Sequence, residues 1–318
     1  MNKKLNPNKI AIIGAGGVGA TTAYALMTQG IGSEIVLIDL DKEKAEGEAM
    51  DLRHGASFVN PVDIYAGDYS DLADAKLIII TAGAAQKPGE TRLDLMKKNT
   101  GVFKNIVSSI TEYNKEGILL VVTNPVDVLT YLTYQLSDFP ANRVIGSGTV
   151  LDSSRFRSLL SKNCGVADSN VHGYIIGEHG DSEVPVWSLT NIAGTPIETY
   201  CPICGKDCEN RDFEKIGNEV KNAAYEIIEK KGATNYAVAL AVSRISRAIL
   251  RDENAVLTVS SLMKGYYGIK DISLSLPTII NSDGIDRVLE LPLSDKEKEA
   301  FKDSAKHLKD NYKKLEVK

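Results

Sequence analysis

Short, nearly continuous apolar runs alternate with longer mixed stretches through the first half of the chain. The runs at residues 9–13, 34–39, 62–66, 76–82, 118–123 and 143–145 have the length of strands, and several are rich in β-branched residues. Between them, residues 18–29, 42–57, 93–115 and 126–136 are of helical length. Strands separated by helices predict right-handed crossovers and a parallel sheet covered on both faces. Leu77-Ile78-Ile79-Ile80 and Ile118-Leu119-Leu120-Val121-Val122 contain no polar position, as expected of central strands buried on both sides.

After residue 146 the pattern changes. A helix is predicted over 152–162, then short strands at 171–176, 184–188, 255–262 and 272–276, interrupted by helices over 213–230 and 235–250. The tail from Ser294 reads as a further helix: Ser294 and Glu297 have capping-box spacing, and Phe301, Leu308, Tyr312 and Leu315 recur on one face. The expectation is an α/β protein of two domains, a doubly wound parallel sheet over 1–146 and an α+β domain over 147–318. No linker rich in Pro, Gly or Ser separates them, which predicts a tight interface with a cleft between the halves.

Composition narrows the classes. A chain of 318 residues buries roughly 75% of its extended surface and needs neither disulfide nor metal to fold. Lys and Arg number 37 against 42 Asp and Glu, so the basic excess usual in nucleic-acid binding is missing. No apolar run approaches the roughly 20 residues of a membrane span, and Met1–Pro7 runs into a strand without a signal-peptide pattern. The expected location is the cytoplasm, with no membrane and no nucleic acid as partner. Cysteines stand at 164, 201, 204 and 208. The last three have spacing that could hold zinc if Cys164 or a histidine completed the set, but a second Cys-x-x-Cys is lacking. A reduced surface loop and no metal are expected.

Gly14-Ala15-Gly16-Gly17-Val18-Gly19 is a G-x-G-x-x-G that follows an apolar strand and opens a helical stretch, and the next strand ends in Asp39. Gly14 permits the tight turn, Gly16 leaves room for backbone N–H groups to approach a pyrophosphate, and Gly19 allows close packing of helix on sheet. Gly17 and Val18 begin the helix, whose N-terminus favours negative charge. Asp39 can accept hydrogen bonds from ribose hydroxyls and would repel a 2′-phosphate. Leu40 and Asp41 follow it, with no basic side chain to offset that repulsion, so the cofactor expected in this Rossmann-type half is NAD rather than NADP. The alternative is that the glycines merely turn a strand into a helix.

Gly177-Glu178-His179-Gly180-Asp181-Ser182 and Leu151-Asp152-Ser153-Ser154-Arg155-Phe156-Arg157, with Thr123-Asn124-Pro125-Val126-Asp127 and Arg92-Leu93-Asp94-Leu95, occur in the order seen in one family. Over its whole length the chain resembles the 2-hydroxy-acid dehydrogenases of the lactate/malate dehydrogenase family. Reduction of a 2-keto acid needs a hydride, a proton for the carbonyl oxygen and a cation for the carboxylate. His179 is the natural proton donor, its ordinary pKa lying near neutrality. The resemblance makes Asp152 its carboxylate partner and Arg155, three residues on, the guanidinium that grips the substrate carboxylate through two parallel hydrogen bonds. Without it, Asp152 and Arg155 would read as an ordinary surface ion pair. The resemblance further implies a mobile loop that brings Arg92 over the substrate carbonyl, and contacts from Asn124 to cofactor and substrate.

Gln86 stands six residues before Arg92, at the position where malate-specific members typically carry arginine. With a neutral side chain there, a dicarboxylate would leave a charge unpaired in a closed cleft, at a cost on the order of several kcal/mol. Thr234 matches the small polar residue that limits the pocket in lactate-specific members. The expected reaction is NADH-dependent reduction of pyruvate to L-lactate, with malate or another 2-hydroxy acid as the alternative. Arg157 and His172 match positions that bind fructose 1,6-bisphosphate between subunits in allosteric bacterial members, and the same residue types occur without regulation. The resemblance also implies a homotetramer.

Overall fold

The computed structural model describes residues 4–84, 92–204 and 213–315, with the backbone alone at 92 and 93. The first half runs β1 (Asn6–Ile13), α1 (Gly17–Thr28), β2 (Glu34–Ile38), α2 (Lys42–Gly55), β3 (Asp63–Ala66), β4 (Ala75–Ile80), α3 (Arg92–Tyr113), β5 (Ile118–Val121), α4 (Val126–Ser137) and β6 (Val144–Gly146). These strands pair in parallel in the order β3-β2-β1-β4-β5-β6. It is the doubly wound order whose reversal, between β1 and β4, opens a crevice at the carboxyl ends of the strands.

The apolar runs are continuous because each face of the sheet has its own helical layer. Ile10, Ile12, Leu77, Ile79, Ile118 and Leu120 pack with Leu26 of α1 and Ala49 of α2. Their neighbours Ala11, Ile13, Ile78, Ile80, Leu119 and Val121 pack with Phe103 and Ile106 of α3 and Leu129 and Leu132 of α4. A strand with one wet face would alternate; these cannot.

The second half comprises α5 (Val150–Cys164), β7 (Val171–His172), β8 (Ile175–Ile176), β9 (Val184–Pro185), β10 (Asn191–Ile192), β11 (Thr195–Pro196), α6 (Ile197–Ile203), α7 (Phe213–Lys231), α8 (Tyr236–Leu250), β12 (Ala255–Lys264), β13 (Lys270–Asn281), β14 (Gly284–Val288) and α9 (Asp295–Lys313). The antiparallel meander β12-β13-β14 joins β6 through the single pair Ser260 and Gly146, so the sheet runs on across both halves to nine strands among the described residues. α8 returns to the first half, its Val242, Ile245 and Ile249 completing the layer that α1 and α2 begin.

Several local expectations are corrected. The strand expected over 171–176 is two, β7 and β8, in different sheets, and between them Gly173 packs so closely on Phe156 that a methyl there would stand 2.7 Å from the ring. The strand expected over 184–188 stops at Pro185: the Val186 N–H still reaches the Tyr174 carbonyl at 2.9 Å, but Trp187–Leu189 then turns as a 3₁₀ helix. β13 continues past Pro277, where the sequence suggested an end. The regular pairs with β14 begin at Thr278, and only the proline carbonyl is used there, by the Leu289 N–H. The β10–β11 hairpin, α6 and β14 were not expected. α9 has both hydrogen bonds of the anticipated capping box, and Phe301 and Leu308 are buried.

Candidate active site

The glycine loop leaves β1 at the carboxyl edge of the sheet. Gly14 has φ +107°, and a methyl group there would lie 2.6 Å from the backbone of Ala82; at Gly19 it would lie 1.8 Å from the Gly14 carbonyl oxygen. Both positions are closed to any side chain. Beside them a methyl at Gly16 or Gly17 would meet nothing within 4 Å, so open space fronts the start of α1. Gly16 caps that helix without a side-chain hydrogen bond, and its first turn has no acidic residue, which leaves free N–H groups facing the space. Asp39 accepts the Ala15 N–H at 2.6 Å on one oxygen and the Asp41 N–H at 3.0 Å on the other. The carboxylate is thereby fixed against the loop, with lone pairs left for two ribose hydroxyls. These residues fit a dinucleotide: Gly14, Gly16, Gly17, Val18 and Gly19 would cradle its pyrophosphate and Asp39 its adenosine ribose.

The second half brings in His179 and its carboxylate partner. β8 leads into the turn that carries His179, and α5 lies against β8: Thr149 donates its hydroxyl to the Ile175 carbonyl at 2.5 Å, and Ser153 Oγ accepts the Ile175 N–H at 2.9 Å. This brings Asp152 Oδ2 within 2.5 Å of His179 Nδ1, while its Oδ1 accepts from Arg155 at 2.7 Å. Asp152 is 2% exposed, so the carboxylate reaches solvent only through its two cationic partners. Burial alone would raise the Asp152 carboxyl; the charges and hydrogen bonds of His179 and Arg155 outweigh it and hold the pKa below its ordinary value. Burial opposes charging of His179, but the charge of Asp152 and its hydrogen bond win and raise the imidazole to about 9. A pKa raised in this way favours the charged ring at neutral pH, with Nδ1 taken by Asp152 and Nε2 left for another partner. The pair formed by Asp152 and Arg155 is buried in the site and is no surface ion pair.

His179, Arg155, Asn124 and Thr234 line one cavity of about 100 Å³ together with Gly148, Leu151, Ile228 and Val238. Four residues drawn from a strand-following turn, a helix, a β-turn and the segment before α8 thus converge on one space. Arg92 opens α3, with its side chain outside the described residues; Gln86 and Cys208 also lie outside them. Arg157 lies on another face of α5, its Nε bonded to the Ser153 carbonyl at 3.2 Å, and burial lowers its pKa. His172 ends β7 and is exposed. Cys201 and Cys204 fall in and just after α6, and among the described residues no three His, Cys, Asp or Glu side chains are grouped to hold a metal.

Three buried residues around the cavity were given no role from the sequence. Asn99 of α3 accepts the Ala84 N–H at 2.8 Å and donates to the Asn124 carbonyl at 2.9 Å, bracing the turn after β5. Asp127, three residues after Asn124, accepts the backbone N–H of His179 at 2.7 Å and the Ser260 hydroxyl at 2.6 Å; burial raises its carboxyl to about 7. Glu183, four residues after His179, is 5% exposed, and its Oε1 has no hydrogen-bond partner among the described residues. Burial and then the charge of Asp152 raise it to about 8. The position of Asp127 inside a recognised motif was a usable signal. Ser260, more than a hundred residues away in sequence, gave none.

A charged imidazole and a guanidinium opening on one small cavity, beside a dinucleotide cradle, suit hydride exchange between a nicotinamide and a small acid; the fold and site define an NAD-linked oxidoreductase. Comparison with known proteins supplies the family. Residues 8–146 match the lactate/malate dehydrogenase NAD binding domain, and residues 149–318 match the alpha/beta C-terminal domain of the same family. The L-lactate dehydrogenase of Thermoanaerobacter sp. (strain X514) is 60% identical over 98% of this chain and 100% of its own length, and that of Acetivibrio thermocellus is 58% identical over the full length of both. The crystal structure of the minor L-lactate dehydrogenase from Enterococcus mundtii in its ligands-bound form superposes with a TM-score of 0.93 at 43% identity, covering 98% of this chain and 99% of that one. The chain belongs to the lactate/malate dehydrogenase family.

Proposed function

We propose that the protein reduces pyruvate to L-lactate, reversibly, as an NAD-dependent L-lactate dehydrogenase. The observation that carries this reading is the small cavity shared by His179, Arg155, Asn124 and Thr234, with Asp152 behind the imidazole. Bound NADH supplies the hydride. Arg155 holds the substrate carboxylate, a task suited to its planar fork. His179 gives its proton to the carbonyl oxygen as the hydride arrives, and Asp152 stabilises the charged ring beforehand and fixes its Nδ1 tautomer. Asn124 orients the substrate oxygen, and Arg92 polarises the carbonyl from the head of α3. In lactate oxidation the neutral ring takes the proton back.

Relatives carrying the name L-lactate dehydrogenase support the choice of pyruvate, as does the neutral Gln86. NADH oxidation measured side by side with pyruvate, oxaloacetate and 2-ketoisocaproate is expected to give the highest kcat/KM with pyruvate. Gln86→Arg is expected to move the preference toward oxaloacetate by at least about tenfold, the order of a single charge pair in a closed site. A wild-type preference for oxaloacetate removes the substrate assignment.

The proposal extends to a cytoplasmic homotetramer regulated by fructose 1,6-bisphosphate. Tyr24 of α1 and Tyr236 and Leu240 of α8 are exposed on two packed helices, apolar surface that subunit association would cover. Arg157 and His172 would face the sugar bisphosphate between subunits. Among the described residues no helix is long and apolar enough to cross a membrane. Pyruvate affinity that is unchanged by the bisphosphate removes the regulatory part.

A further inference from the structure

The Asp127 carboxylate sits where the two halves of the molecule meet. It lies in the first turn of α4, which belongs to the first half, yet both of its oxygens are engaged by the second half: Oδ2 by the backbone N–H of His179 and Oδ1 by the hydroxyl of Ser260 on β12. Ser260 also makes the one backbone pair between β6 and β12, so the strand that joins the halves fixes the hydroxyl as well. Asp127 and Ser260 are 1% and 0% exposed. With one oxygen bonded to the His179 N–H and the other to the Ser260 hydroxyl, the side chain is pinned between two segments and constrains the His179 backbone.

The rest of the histidine turn is held just as firmly. The Gly177 N–H and C=O pair with Ser275 on β13, and the Glu178 N–H donates to Ser304 Oγ on α9 at 2.9 Å. Three consecutive backbone N–H groups, at residues 177, 178 and 179, are therefore claimed by β13, α9 and α4 in turn. Two of these clamps act before the histidine; only the Asp127 contact acts on it. The ring in turn meets Asp152 through Nδ1, a contact with little tolerance at 2.5 Å.

We propose that Asp127 is a positioning residue for proton transfer, holding the His179 backbone from the other half of the molecule so that the ring meets Asp152 and the cavity in one orientation. It touches neither substrate nor cofactor and acts through His179. The proposal rests on the proton-transfer role given to His179 but not on the identity of the acid reduced.

Three variants test it, assayed with whichever of pyruvate and oxaloacetate the wild type reduces faster, so that a wrong substrate assignment leaves the test intact. The readouts are kcat per NADH-binding site, with sites counted by nucleotide fluorescence titration, and the isotope effect from NADH deuterated at the transferred position. Asp127→Ala is expected to lower kcat per site about a hundredfold, the order of an ångström-scale misplacement. The isotope effect should rise as chemistry becomes limiting, and NADH affinity should stay within about twofold. Asp127→Asn retains an oxygen for the His179 N–H and an amide toward Ser260, and should recover to within about fivefold of wild type. Asp127→Glu keeps the carboxyl group on a longer arm, and should show the reduced rate and raised isotope effect. A purely structural defect would lower the number of NADH sites and leave kcat per site and the isotope effect unmoved. That result with Asp127→Ala overturns the proposal; if the alanine variant fails to fold, wild-type kinetics in Asp127→Glu overturns it instead.

Discussion

His179 shows how a single side chain is tuned by what surrounds it. Desolvation tends to strip an imidazole of its charge, and this half-buried ring keeps it because the buried Asp152 carboxylate lies 2.5 Å away. The folded pKa of about 9 exceeds the ordinary value of about 6.5. The pairing therefore adds stability that is complete below about pH 6.5 and is lost as pH rises through 9. Catalysis carries the same sign. Pyruvate reduction, which needs the imidazolium, should keep its kcat/KM up to about pH 9 and then fall, while lactate oxidation should rise toward that pH. Asp152→Asn removes the main cause of the upward shift and leaves burial, so its reduction profile should begin to fall at about pH 6.5 or below. At pH 7.5 that change of protonation alone costs about tenfold. Steady-state pH profiles of the two proteins check this, and superimposable profiles would separate the histidine from its carboxylate.

Among the elements, the turn between β1 and α1 shows why glycine spacing is informative. Gly14 and Gly19 are excluded from bearing side chains by backbone, whereas Gly16 and Gly17 face open space. Gly19→Ala is expected to cost about 1–3 kcal/mol of stability by overpacking, with NADH binding weakened alongside. Gly17→Ala should fold with near wild-type stability and lose NADH affinity alone, because its methyl intrudes only where the pyrophosphate would lie. Thermal melts and NADH titrations of the two variants separate these effects; equal destabilisation by both would contradict this division of roles. The same turn was legible in the sequence, since its glycines, the preceding strand and Asp39 are local in the chain. So were the strands of the parallel sheet, whose burial on both faces leaves no polar interruptions. The splitting of the run at 171–176 into β7 and β8, the early end of β9 and the β10–β11 hairpin were not legible. A two-residue strand has no period to read, and neighbours such as Phe156 against Gly173 are brought to it only by packing.

At the scale of the molecule, the residues proposed to cradle the cofactor belong to the first half, and those proposed to donate the proton and hold the carboxylate belong to the second. The sheet that runs through β6 into β12, together with Asp127 and Ser260, fixes one half against the other. His179, Asp152 and Arg155 were recognisable from motif order, and Asp127 stood inside a recognised motif, yet its contact with the His179 backbone and the burial of Glu183 beside the pair were not legible, because those relations arise only when distant segments pack. The central claim is that the two halves present one reaction space. A crystal structure with NADH and oxamate, an isostere of pyruvate that is not reduced, tests it most directly. The nicotinamide should enter the cavity from the Gly14–Gly19 side, with the oxamate carboxylate on Arg155 and its carbonyl oxygen hydrogen-bonded to His179. A nicotinamide bound away from His179 and Arg155, or an oxamate held by other residues, would contradict the account.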